Sequence, residues 1–128
     1  MAHDYRVTVV LSPARIAQAL ATAFELEVPK WAHVTGVTPP TGGTPLRPPM
    51  MSAGECAAWP GGEVYLVDRH ATKQHTHVLN AVVLKRGLVR MLAQHAAQFG
   101  RLLTGDTADG RAGAVLVQCA IFGEVLYD

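Results

Sequence analysis

The sequence predicts an α+β domain, with three helices packed on one face of a small, mostly antiparallel sheet of three to four short strands. Three observations lead there. Stretches of period 2 and stretches of period 3.6 alternate without the strict strand–helix–strand rhythm that a parallel sheet requires. A long segment, residues 38–62, holds six of the eight prolines and interrupts the pattern with an irregular loop. The 128 residues, 49% apolar and 16% charged, are read as one domain, 1–128, with enough apolar surface for a core.

The elements follow in order. Tyr5, Val7, Val9 and Leu11 share one face at period 2, which predicts a first strand over Tyr5–Leu11. Ser12-Pro13 is a helix start, serine as N-cap and proline at the first helical position. Ile16, Leu20, Ala23, Phe24 and Val28 follow at helical spacing, and the helix is expected to end before Pro29. Trp31–Val37 alternates as a second strand. In 38–62 the prolines lack amide donors and Gly42, Gly43, Gly61 and Gly62 favour turns, so no regular element is expected. Glu63–Arg69 is the clearest strand and forms a hairpin with Gln74–Leu79 through the polar His70–Lys73. Asn80 caps a long helix that runs to Gly100 or Gly105, with Gly87 inside it marking a close packing contact. Ala112–Tyr127 is the last helix, with Val115, Cys119, Phe122 and Leu126 on its buried face.

Charge and cysteine content exclude several classes. Eleven Lys and Arg against ten Asp and Glu give a net charge of +1, which announces neither a dedicated nucleic-acid binder nor an acidic mimic. The N-terminal apolar run, Val7–Leu11, ends at Pro13 and does not read as a signal peptide. No apolar stretch reaches the ~18 residues of a membrane span. Two cysteines, Cys56 and Cys119, fit free thiols in a reducing cytoplasm. Cys119 is expected to be buried and inert, whereas Cys56, in the loop, is the more reactive candidate.

Catalytic patterns are sparse. No GxSxG elbow, Walker A loop or GxGxxG turn opens a helix. His75 and His77 point to one side of a strand and are the candidate centre of a metal-dependent hydrolase. Asp68, His70, His33 and Cys56 are the only further ligands within reach, none at a diagnostic spacing, so neither a metal nor another cofactor is expected.

The charge distribution points instead to binding. Residues 69–111 carry Arg69, Lys73, Lys85, Arg86, Arg90, Arg101 and Arg111 against only Asp106 and Asp109. Arg86 and Arg90 lie one helical turn apart with Lys85 at their edge, a basic face able to hold phosphates or an acidic protein surface. The binding residues expected are Arg69, Lys85, Arg86, Arg90 and Trp31, the indole being either core or the wall of a pocket. One local cluster is too short for a long duplex footprint.

Ala23-Phe24-Glu25, Trp31-Ala32, Leu84-Lys85-Arg86-Gly87-Leu88 and Val117–Tyr127 (VQCAIFGEVLY) together resemble a family of small uncharacterised proteins of tailed phages and prophages. The likeness covers residues 20–37 and 63–127. That family carries an aromatic before the tryptophan, where Lys30 stands here. The resemblance implies an accessory protein in the host bacterial cytoplasm and no particular activity; the lack of a catalytic constellation makes the expected protein non-enzymatic. It would act by stoichiometric binding, as a counter-defence factor that binds a host defence protein or sequesters an anionic small molecule such as a nucleotide. An oligomeric assembly component is the other role it leaves open.

Overall fold

A computed structural model of the chain describes Tyr5, residues 8–41 and residues 52–127. Five helices pack on a three-stranded antiparallel sheet: α1 (Pro13–Leu26), β1 (Ala32–Thr38), α2 (Ala53–Ala58), β2 (Glu63–Asp68), β3 (Thr76–Leu79), α3 (Ala81–Gln94), α4 (Ala96–Thr104) and α5 (Arg111–Phe122). The strands lie in the order β1-β2-β3. The α+β class is as predicted; among the described residues the helix count is five rather than three.

Local chemistry explains where the elements begin. Ser12 Oγ accepts from the Arg15 amide at 3.1 Å, and Pro13 opens α1. Asn80 Oδ1 accepts from the Val83 amide at 3.0 Å and starts α3. In the hairpin, Val64 pairs with Leu79 and Leu66 with His77. A bulge at Thr35 interrupts the pairing of β1 with β2, between Val34↔Leu66 and Gly36↔Tyr65. Val64, Leu66 and Leu79 are fully buried against the helices.

Four expectations are corrected. Thr8–Leu11, within the expected first strand Tyr5–Leu11, is not a strand, and Tyr5 and Val10 stand 91% and 83% exposed. Val and Thr favour strands only where an edge is there to pair with, and this segment pairs with none among the described residues. The segment 38–62 is not wholly irregular, because α2 folds inside it. Ser52 and Glu55 form a reciprocal capping box at its start, and three of its residues, Cys56, Ala57 and Ala58, join the core. Residues 42–51 of that segment lie outside the described residues.

The long helix from Asn80 is two helices broken at His95, whose backbone leaves the helical region. A single helix over the same 24 residues would run about 36 Å at 1.5 Å per residue, and the break instead turns Phe99 and Leu102 into the core. Gly105, at φ +80°, closes α4 in the left-handed conformation. The last helix ends at Phe122 rather than Tyr127, because Gly123 is left-handed at φ +81°. Its apolar residues are buried nearly all round rather than on one face, and Leu126 lies beyond it, half-exposed.

The centre of the core is α5. A Cβ on Gly87 of α3 would sit 2.7 Å from the Ala120 Cβ, and one on Gly113 would sit 2.3 Å from the Ala19 carbonyl oxygen of α1. The close approach expected at Gly87 is present. The other face of α5 carries large and polar side chains, and there the helix opens onto a cleft.

Candidate functional site

The cleft begins with Trp31. A short 3-10 turn, Val28–Lys30, follows α1 and swings the indole under the last turns of α5, where it is 4% exposed. Its ring meets Phe122 at 5.5 Å between centroids and stacks on Tyr127 at 5.8 Å, with 19° between planes. Phe122 also meets the edge of His77 at 5.2 Å. Trp31 is thus core and cleft wall at once.

The chain after Gly123 returns across this cluster because one buried side chain fastens it. Gln118 Oε1 accepts from the amides of Leu126, at 2.8 Å, and Tyr127, at 2.9 Å, and its Nε2 donates to the Tyr127 carbonyl at 2.8 Å. Tyr127 then donates its hydroxyl to Asp68 Oδ2 at 2.7 Å. The alternation of β2 puts Asp68 on the same side as Val64 and Leu66, where it is buried, and its Oδ1 accepts from the His70 amide at 2.8 Å. That bond to Asp68, with burial adding to it, holds the Tyr127 phenol above its ordinary value of 10.0.

These pieces enclose a cleft of about 510 Å³. One wall is Trp31, Val115, Val125, Leu126 and Tyr127; the rim carries Glu27, Lys30, His70 and Arg111. Lys30 pairs with Glu27 at 3.1 Å. The Arg111 guanidinium, in the first turn of α5, has no hydrogen-bond or ion-pair partner among the described residues. A wall of three aliphatic side chains and the Trp31 and Tyr127 rings, beside an unengaged guanidinium, suits a flat ring that bears an anionic group.

The structure separates the residues singled out from sequence. Trp31 lines the cleft; Arg69, Lys85, Arg86 and Arg90 do not. Arg69 donates to the Pro29 carbonyl and to His33 Nε2, and so braces the turn that carries Trp31. Lys85 and Arg86 are exposed on α3. Arg90, one turn on, is half-buried and donates to the Cys119 carbonyl at 3.1 Å near the C-terminal end of α5, where a cation is favoured. Arg86 and Arg90 therefore do not present one open anion site. Among the described residues no three His, Cys, Asp or Glu side chains come together as metal ligands. Burial against the apolar cluster pushes the His77 imidazole below its ordinary 6.5. Cys56, expected to be the reactive thiol, is buried in α2, and burial raises its pKa as it does that of Cys119.

Sequence reasoning missed Tyr127, Gln118, Asp68 and Arg111 as parts of the site. One signal was present: Gln118 is a polar residue inside an apolar helix, and a buried amide needs partners. No helix is long and apolar enough to cross a membrane among the described residues. Compared with protein-family models, curated proteins and solved structures, the chain matches none.

Proposed function

We propose that the protein is a phage-type accessory protein that works by stoichiometric binding in the host cytoplasm, taking a small planar anion such as a nucleotide into the Trp31–Tyr127 cleft. The observation that carries this reading is the unengaged Arg111 beside an aromatic wall. The cleft volume of about 510 Å³ lies within the usual ~300–1,000 Å³ of small-molecule sites. The ring lies against the Tyr127 and Leu126 side of the wall, and Arg111 holds the phosphate. Such a protein removes a nucleotide signal from solution without converting it, which suits a counter-defence role.

Calorimetric titration with AMP, cyclic nucleotides and inorganic phosphate tests the reading. One nucleotide per chain, recovered unchanged, is the expected result. Arg111→Glu weakens binding about tenfold, equivalent to ~1.4 kcal/mol, while stability stays within ~0.5 kcal/mol of the parent. Absence of binding across the panel, or turnover at trace protein, overturns the proposal.

A second reading, binding of an acidic host protein surface, is favoured by one face of α3. Val82 and Val89 stand 70% and 66% exposed there, on either side of Lys85 and Arg86, and the helix has no acidic residue. Arg86→Glu separates the two readings, since it abolishes protein binding and leaves the nucleotide titration unchanged.

A further inference from the structure

The cleft has one wall that is not part of any helix or strand. Beyond the Gly123 amide, which bonds the Cys119 carbonyl, residues 124–127 make no backbone–backbone hydrogen bond among the described residues. Among the described residues their backbone is held by Gln118 alone, through the carbonyl oxygen and the amino group of its side-chain amide, and their tip by the Tyr127 hydroxyl on Asp68. A segment so fastened opens locally at far lower cost than the helices it covers. It also supplies Val125, Leu126 and Tyr127 to the cleft, and Tyr127 is the ring stacked on Trp31.

We propose that residues 123–127 are a detachable wall of the cleft, latched by Gln118, and that latching governs access to Trp31. The proposal rests on the cleft being the binding site and adds how that site is regulated. Gln118 is a positioning residue: its carbonyl oxygen takes two strap amides and its amino group one strap carbonyl. A ligand that touches the strap favours the latched state, and by linkage the latched state binds that ligand more tightly. Opening removes the Tyr127 ring from Trp31, and a ligand can then enter or leave without any helix moving.

The test uses the full chain with Trp59→Phe, which leaves Trp31 as its one tryptophan. Gln118→Met keeps the side-chain volume and removes all three bonds. Acrylamide quenching of Trp31 is expected to rise several-fold in that variant. Hydrogen exchange at the Leu126 and Tyr127 amides accelerates about tenfold or more, while amides within α3 and α5 keep their protection. Tyr127→Phe, which keeps the ring and loses only the bond to Asp68, shifts both readouts in the same direction by less, and carries the test if Gln118→Met does not fold. AMP added to the parent slows exchange at Leu126 and Tyr127, and Gln118→Met weakens AMP more than it weakens inorganic phosphate. Unchanged quenching and unchanged strap exchange in both variants overturn the latch. Binding of AMP with no added strap protection overturns the coupling. If AMP and the other nucleotides do not bind the parent, the nucleotide reading fails, and the latch is still decided by quenching and exchange.

Discussion

The two faces of α5 are covered by opposite means. On one, Gly113 and Ala120 let the backbones of α1 and α3 approach until there is no room for another carbon. On the other, Val115, Gln118 and Phe122 hold neighbours away, and the gap is filled by Trp31 and a non-helical strap. The seam is tight backbone packing, with one polar contact across it among the described residues, from Arg90 to the Cys119 carbonyl. The cleft face depends on a few directional bonds, those of Gln118 and the one from Tyr127 to Asp68. A single helix thus carries the tightest seam of the molecule on one face and a wall held by side chains alone on the other, and the difference lies in side-chain size along its two faces.

That contrast is open to direct attack. The largest effect is expected at the seam. Gly113→Ala and Gly87→Ala would ordinarily gain about 1 kcal/mol of helix propensity. Here each Cβ meets fixed backbone, so each variant should lose about 2–3 kcal/mol in denaturant melts; a gain would show that the helices can part freely. Next is Phe122→Ala on the cleft face. Phe122 is only half-buried, so its removal should cost about 2 kcal/mol, less than the ~3–5 kcal/mol of a fully buried ring. Trp31 emission should shift to the red as its neighbour is lost.

A smaller effect is set by pH. Burial keeps His77 below its ordinary 6.5, with Asp68 opposing and His75 assisting. Below that value the unfolded chain binds more protons than the folded one. The contribution of His77 is therefore complete above pH 6.5 and is lost as pH falls through and below it. Melting temperatures at pH 7.5 and 5.5 should differ less in His77→Gln than in the parent. The smallest effect is expected on the exposed face of α3, where Arg86→Glu should change stability by no more than about 0.5 kcal/mol in the same melts. A larger loss would mean that Arg86, like Arg90, is engaged by the fold.

Reading the site from sequence failed for a definite reason. The density of bases in residues 69–111 drew attention to α3, yet a count along the chain cannot tell a solvated cation from one turned inward. Arg90 is half-buried on the Cys119 carbonyl, and Arg69 braces the Pro29 turn. Arg111, in the same stretch, is the base left on the rim of the cleft. Trp31 was recognised because the Pro29 break places it at the start of a strand, but its partners lie far away in sequence. The Tyr127 hydroxyl reaches an aspartate 59 residues earlier.

The sequence by itself determined what few-residue chemistry can determine. Ser12-Pro13 and Asn80 started their helices, the alternation of EVYLVD made a strand, and Gly87 marked a close approach. Ser52 and Glu55 carried the capping box of α2 as well, although the surrounding prolines hid it. Tertiary structure decided the rest. Whether Thr8–Leu11 finds a strand partner, whether residues 81–104 run straight or turn at His95, and which arginine is left free all depend on what stands opposite. Caps and periodicity are satisfied within a turn or two of the chain, whereas pairing, helix direction and the environment of a charge are set by contacts that exist only once distant segments have met.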